Sequence, residues 1–245
     1  SHITLESALD EEVIIQPESA SALEIANAKD VVISGISFSN PDQNYIPIGC
    51  VKVNDSENIT FIGCDISETK GIGCAIQSSK SILLQSCTIH DCDHGGVTIN
   101  DFSDTLLDSC KIFNNGQNLL INANDVGYGV SVRSHSTAKI HECNIENNRC
   151  TGIYANNAYS IDIEKNRINY NGHTSAKTGI CLENGCYGNI CGNEIIENGS
   201  SGIILRDSHL HVKNNSIRRN GHLTNPKQAG IVLIDSHDST IASSN

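Results

Sequence analysis

A small residue followed by a fixed spacing of apolar side chains recurs nine times along this chain. From Gly152, the apolar or inward positions are Ile153, Ala155, Ile161, Ile163, Asn166 and Ile168, at offsets of 1, 3, 9, 11, 14 and 16. The same offsets recur, with few exceptions, from Ala22, Cys50, Gly73, Gly96, Gly129, Gly179, Gly202 and Gly230. The anchors lie 28, 23, 23, 33, 23, 27, 23 and 28 residues apart, so one unit of 23 residues is stacked with occasional insertions. A fixed period of this length means a solenoid, because a single unit cannot bury its own apolar face.

Each unit carries two short alternating pairs and one further inward position, separated by turn residues, and no stretch sustains a 3.6-residue period. Three strands per coil follow, each pairing with its equivalent in the next coil. The pattern predicts an all-β, single-stranded right-handed parallel β-helix of about nine coils, one domain over residues 1–245. At a strand spacing of about 4.8 Å the rod is roughly 40 to 45 Å long. A narrow interior explains why the chain has 4 Phe, 6 Tyr and no Trp.

The offset-14 position reads Ile36, Cys64, Cys87, Cys110, Cys143, Asn166, Asn193, Asn215, a cysteine stack that gives way to an asparagine ladder. Inward amides at a corner pair with the backbone and with one another, and cysteine serves there as a small buried hydrophobe. Side chains on successive coils run parallel and do not converge as tetrahedral ligands must, so the reading is packing, with no metal site. Of the 11 cysteines, at least four fall in this stack, and free thiols favour a reducing compartment.

At the termini, residues 1–12 do not complete a coil and could cap the rod, while the coil from Gly230 is incomplete at Asn245. Its strand edges need either further chain or a partner to cover them. No apolar run is long enough to span a membrane.

Formal charge is −12 and all of it lies in residues 1–120, with 5 Lys/Arg against 17 Asp/Glu; residues 121–245 hold 11 of each. Such a surface excludes nucleic acid as a partner, since that binding needs clustered basic residues. A polyanionic sugar is repelled at one end and tolerated at the other.

The coil pattern resembles the pectin lyase-like superfamily of right-handed β-helices. It is clearest in Gly152-Ile153-Tyr154-Ala155 through Asn166-Arg167-Ile168, Gly179-Ile180-Cys181-Leu182 through Asn193-Glu194-Ile195, and Gly202-Ile203-Ile204-Leu205 through Asn215-Ser216-Ile217. The resemblance covers essentially the whole chain. It implies fold more than activity, because the superfamily includes polysaccharide lyases, glycoside hydrolases, uronate epimerases, tailspikes and recognition scaffolds. It also implies a secreted or periplasmic setting, against the reducing one that the thiols favour, and admits Ca2+ as a cofactor where the residues alone imply none.

In the resembling enzymes the glycan runs along the outer face of the first strand. Here that face offers Asn100, Arg133, Tyr154, Asn156, Glu183 and Arg206, with Asp101, His94 and His135 close by in sequence. Insertions at roughly 39–49, 114–128, 170–178 and 220–229 all precede that strand, so the loops share one edge; the longest carries Asn118, Asn122, Asn124, Asp125 and Tyr128. Elimination or epimerisation beside a uronate carboxylate needs a neutralising cation and groups that transfer protons. Arg133 or Arg206 serve as the cation, Tyr154, His94 or His135 as proton carriers, and Glu183 and Asp101 as auxiliaries; Asn100 and Asn156 complete the binding face. Hydrolysis would instead use paired carboxylates, Asp101 with Glu183 or Glu183 with Asp207.

The chain lacks the Asp-Asp, Gly-His-Gly and Arg-Ile-Lys runs of polygalacturonases and the Asp-Pro-His of alginate epimerases. Two readings therefore stand. One is a carbohydrate-active or carbohydrate-binding β-helix, lyase or epimerase ahead of hydrolase; the other is a non-catalytic scaffold that binds a protein or glycan. The alternating His90-Asp91-Cys92-Asp93-His94 and the outward pair His209 and His211 read as surface and turn residues, not as metal ligands.

Overall fold

The computed structural model describes residues 3–8, 11–17, 20–41, 49–117, 127–173, 177–221 and 229–242. Among these, every regular element is a strand, and every strand pairs in parallel with its equivalents in the neighbouring coils. The first sheet stacks the nine strands that follow the anchors, from Leu23–Ala26 through Tyr128–Arg133, Ile153–Asn156 and Ile180–Glu183 to Ile231–Ile234. A second sheet has ten strands and a third has nine. Among the described residues no helix is long and apolar enough to cross a membrane.

Strict alternation places the predicted core. Val130, Val132, Ile140, Ile145, Ile153, Ile161, Ile163, Ile168, Ile180, Leu182, Ile190 and Ile195 are all fully buried in one continuous cluster. In-register pairing keeps each on its neighbour, as in Val130↔Ile153↔Ile180↔Ile203. Phe38 and Phe61 are the largest buried side chains, and they lie near the N-terminal end of the prism.

All three corners are lined by polar or small ladders. At the corner between the first and second strands, each serine hydroxyl accepts the N–H of the coil before it: Ala28 N–H to Ser56 Oγ, Ser56 to Ser79, Ser79 to Ser103, each at 3.1 Å, and Ser103 to Ser136 at 3.2 Å. At the next corner Asn166, Asn193 and Asn215 do the same with amides. The third corner carries Asn115, Asn148, Asn171, Asn198 and Asn220, a ladder at offset 19, or 18 in the last coil, that lies outside the apolar offset pattern.

That third ladder explains the glycine anchors. A Cβ on Gly129 would lie 2.6 Å from the Gly152 carbonyl oxygen and 2.8 Å from the Asn148 amide nitrogen, and one on Gly179 would lie 2.8 Å from the Asn198 amide nitrogen. From Gly96 to Gly202 the glycine that opens each coil is therefore space left for an asparagine as well as for the carbonyl of the next coil. At the N-terminal end, Ile3–Glu6 pairs in parallel with Val31–Ser34 and extends the second sheet by a strand, with Ile3 and Leu5 exposed.

Candidate functional site

On the outer face of the first sheet, parallel register aligns Arg133 with Asn156, Glu183 and Arg206 on four successive coils, and Ser131 with Tyr154 and Cys181 beside them. Such neighbours lie about 4.8 Å apart at the backbone, so long side chains reach across coils. The Tyr128 and Tyr154 rings stack at 4.7 Å and 13°. The guanidinium of Arg133 lies over both, 5.7 Å from the Tyr128 ring centre and 5.0 Å from that of Tyr154, and its Nε donates to Ser131 Oγ at 3.0 Å. Cation–π attraction and this bond hold a positive charge on the face.

The Tyr154 hydroxyl donates to Glu183 Oε2 at 3.1 Å and accepts from Asn156 Nδ2 at 3.0 Å. The other Glu183 oxygen accepts the Cys181 thiol at 3.4 Å and pairs with Arg206. Burial, together with the Glu183 carboxylate, pushes the Tyr154 hydroxyl above its ordinary range, against the opposing pull of the Asn156 amide and Arg133. Tyr154 is therefore protonated at neutral pH, a donor and not a phenolate. Cys181 points outward by alternation yet is buried, as is Ser131, because these long side chains fold over the face.

A cleft of about 190 Å³ adjoins this group, lined by His94, Thr98, Asn100, Tyr128, Ser131 and Arg133 among others. His94 is buried, and desolvation lowers its pKa below the ordinary value in spite of Asp93. The ring is neutral near pH 7.

Of the residues singled out from sequence, Arg133, Tyr154, Asn156, Glu183 and Arg206 form one connected network, and His94 and Asn100 line the adjoining cleft. Asp101 and His135 stand apart from both. Each lies in a left-handed turn beyond the strand, where Asp101 accepts from Gln77 Nε2 at 2.7 Å and His135 stacks on Phe102 at 5.3 Å. Asp207 is likewise an exposed turn residue. The network also takes in two residues that the sequence pattern does not single out: Tyr128, which precedes its anchor glycine and falls outside the repeat, and Cys181, which alternation places outward beside Ile180 and Leu182. Asn118, Asn122, Asn124 and Asp125, and the centres of all four insertions, lie outside the described residues.

His90, Cys92 and His94 do not share a face. His90 stacks on Phe113 at 4.8 Å and contacts Asp91 and Asp65, Cys92 is in the core, and His94 lines the cleft. Nor is there, among the described residues, any group of three or more His, Cys, Asp or Glu side chains that converges as a metal site would, for Ca2+ or otherwise.

No curated protein matches the chain in sequence. Solved structures match its fold at low identity. Tailspike protein 2 of Escherichia coli O157:H7 bacteriophage CAB120 is 10% identical with a TM-score of 0.65, over 84% of this chain and 30% of its own. The A-module of the mannuronan C-5 epimerase AlgE6 of Azotobacter vinelandii is 12% identical with a TM-score of 0.58, over 89% and 71%. A tailspike of an Acinetobacter phage is 12% identical with a TM-score of 0.55, over 98% and 44%. The chain thus spans less than half of either tailspike. The family model described as "right handed beta helix region" matches residues 3–126 and 117–245, and the chain belongs to that family of right-handed β-helices.

Proposed function

We propose that this protein is a carbohydrate-active β-helix that holds an acidic glycan along the outer face of its first sheet and acts on it by elimination or epimerisation at Arg133 and Tyr154. One observation carries the reading: a guanidinium is fixed over two tyrosine rings, one of which keeps its proton and is tethered to a carboxylate. A mannuronan epimerase among the proteins of similar fold supports a saccharide ligand.

In this reading Arg133 neutralises the uronate carboxylate, which makes the adjacent C–H more acidic. The neutral imidazole of His94 accepts that proton. In elimination, the C–O bond to the leaving sugar breaks, its electron pair goes to the leaving oxygen, and the Tyr154 hydroxyl protonates that oxygen. In epimerisation, Tyr154 returns a proton to the opposite face of the same carbon. Thr98, Ser131 and Tyr154 share one register, so the backbone of His94 lies two coils and four residues from that of Tyr154, roughly 15 Å, a gap that an imidazole, a phenol and one sugar ring fill. Asn100, Asn156 and Arg206 bind and orient the chain.

The second reading, a non-catalytic recognition face, is favoured by the saturation of Glu183, whose two oxygens are held by Tyr154, Cys181 and Arg206. Incubation with uronate polymers separates the two. The proposal expects an unsaturated product by ultraviolet absorbance, or inverted uronates by NMR, and a loss of roughly 100-fold or more in turnover for Arg133→Ala with the fold intact. Binding of the polymer without turnover would establish the scaffold reading instead.

A further inference from the structure

A second cleft lies at the corner between the third and first sheets and shares no residue with the groove described above. It measures about 230 Å³ and is lined by Asn114, Gln117, Asn147, Arg149, Tyr170 and His173, with Asn148 beneath. It opens between the described roots of two insertions, residues 114–117 and 170–173. Loop roots on a rigid scaffold are where binding residues concentrate.

The construction is regular. Asn114, Asn147 and Tyr170 are equivalent residues on three successive coils, each in the left-handed conformation at φ 55, 54 and 54°. That conformation turns the chain outward just past the third strand and presents the three side chains as a ladder. Directly below runs the Asn115, Asn148 and Asn171 ladder, fully buried and bonded coil to coil at 2.9 Å, so the floor is fixed. The roots are tied to it: Gly172 N–H donates to Asn148 O and Arg149 N–H to Asn115 O, both at 2.9 Å. Gln117 Nε2 donates to Asn147 O at 2.8 Å.

Tyr170 forms one wall. The residue is 41% exposed, while its hydroxyl is bonded to Glu197, itself paired with Arg219 at 3.0 Å. An aromatic ring anchored at its polar tip on the rim of a cleft is a stacking platform. Carboxamides at Asn114, Gln117 and Asn147 each offer a donor and an acceptor side by side, the arrangement that reads vicinal hydroxyls. Aromatic surface with a few placed polar groups is how small polar ligands are oriented.

We infer that this cleft is a second saccharide-binding site, taking one neutral pyranose ring stacked on Tyr170 and read by the amides of Asn114, Gln117 and Asn147. It is independent of the acidic-glycan groove, and it would let one rod hold a polymer, or two chains, at two faces. The test is saturation-transfer NMR and calorimetry on the full chain with neutral gluco-, galacto- and manno-oligosaccharides and, separately, an oligouronate. Tyr170→Asn removes the ring while keeping a residue that tolerates the left-handed backbone. The expected result is binding of at least one neutral oligosaccharide, weakened tenfold or more by Tyr170→Asn and unchanged by Arg133→Ala. Three outcomes would overturn the inference: no neutral sugar bound at millimolar concentration, neutral binding insensitive to Tyr170→Asn, or an effect of Tyr170→Asn on the oligouronate alone. Failure of the groove reading registers separately, as oligouronate binding that Arg133→Ala does not change.

Discussion

The second corner is built twice in this molecule from different chemistry, by cysteine in the coils before Asn144 and by asparagine after it. The backbone is the same in both. In the asparagine coils, Nδ2 of Asn166, Asn193 and Asn215 donates to the carbonyls of Ile140, Ile163 and Ile190, each at 2.8 Å, and each Oδ1 accepts the N–H of the preceding corner residue. In the cysteine coils the sulfurs of Cys64, Cys87, Cys110 and Cys143 lie 3.3 to 3.7 Å from the equivalent carbonyls of Ile33, Phe61, Leu84 and Leu107 and 3.2 to 3.6 Å from the carbonyls two residues earlier, so each single S–H is shared between two acceptors. The N–H groups of Ile36, Cys64 and Cys87 are accepted by the sulfurs of Cys64, Cys87 and Cys110. Cysteine thus imitates the amide pattern with longer, weaker bonds and a smaller polar loss if it is removed. The two systems meet where Cys143 N–H donates to Asn166 Oδ1 at 2.8 Å.

The comparison is sharpest when one rung is removed from each half. Asn193→Ala strands the Ile163 carbonyl and the Asn166 N–H in the interior, at a cost on the order of 3 kcal/mol or more. Cys87→Ala, which loses a weak donor and leaves a small void, is expected to cost about 1 to 2 kcal/mol. Urea unfolding of the two variants checks the order, and an equal or larger cost for Cys87→Ala would remove the distinction drawn here.

A smaller effect separates the halves by pH, because thiols with raised pKa are denser among the cysteine coils (Cys50, Cys64, Cys74, Cys87, Cys92 and Cys110) than among the asparagine coils (Cys150, Cys181 and Cys186). The Cys50 thiol is pushed up from 9.0 to about 12, chiefly by burial, and those of Cys87 and Cys110 to about 12 by their thiol neighbours and then by burial. A raised thiol pKa means that the folded state holds its proton longer than the unfolded state. The associated stability is complete below about pH 9 and is lost as pH rises toward 12. Hydrogen exchange at pH 9 to 10.5 should show the cysteine coils losing protection before the asparagine coils, and uniform loss along the rod would contradict the assignment.

These halves also show what the residues disclosed in advance. A period-2 alternation inside a 23-residue unit has only one packing solution, so the core and the cysteine stack could be read off the repeat. The ladder from Asn115 to Asn220 was equally legible, as asparagine at the same offset, or one short of it, in five successive coils. The offsets of the apolar repeat omit it because they take turn residues as spacers.

On the first-sheet face, the register that aligns Arg133, Asn156, Glu183 and Arg206 was implied by the anchors. Which side chains lean across coils was not. The Tyr128–Tyr154 stack joins non-equivalent positions, and Cys181 is covered by neighbours from two coils. The placement of Asp101 and His135 depends on the turn, where a left-handed residue redirects the chain, and strand alternation carries no information past that point.

The functional account rests on the face bearing Arg133 and Tyr154 being the one that meets the glycan. Calorimetric titration of the Arg133→Ala, Tyr154→Ala double variant with an oligouronate tests this most directly, with circular dichroism to verify the fold. The account predicts that affinity for the oligouronate falls by roughly 100-fold or more while the β spectrum is unchanged. Full retention of binding and of any turnover would show that the ligand lies on a different face of the prism.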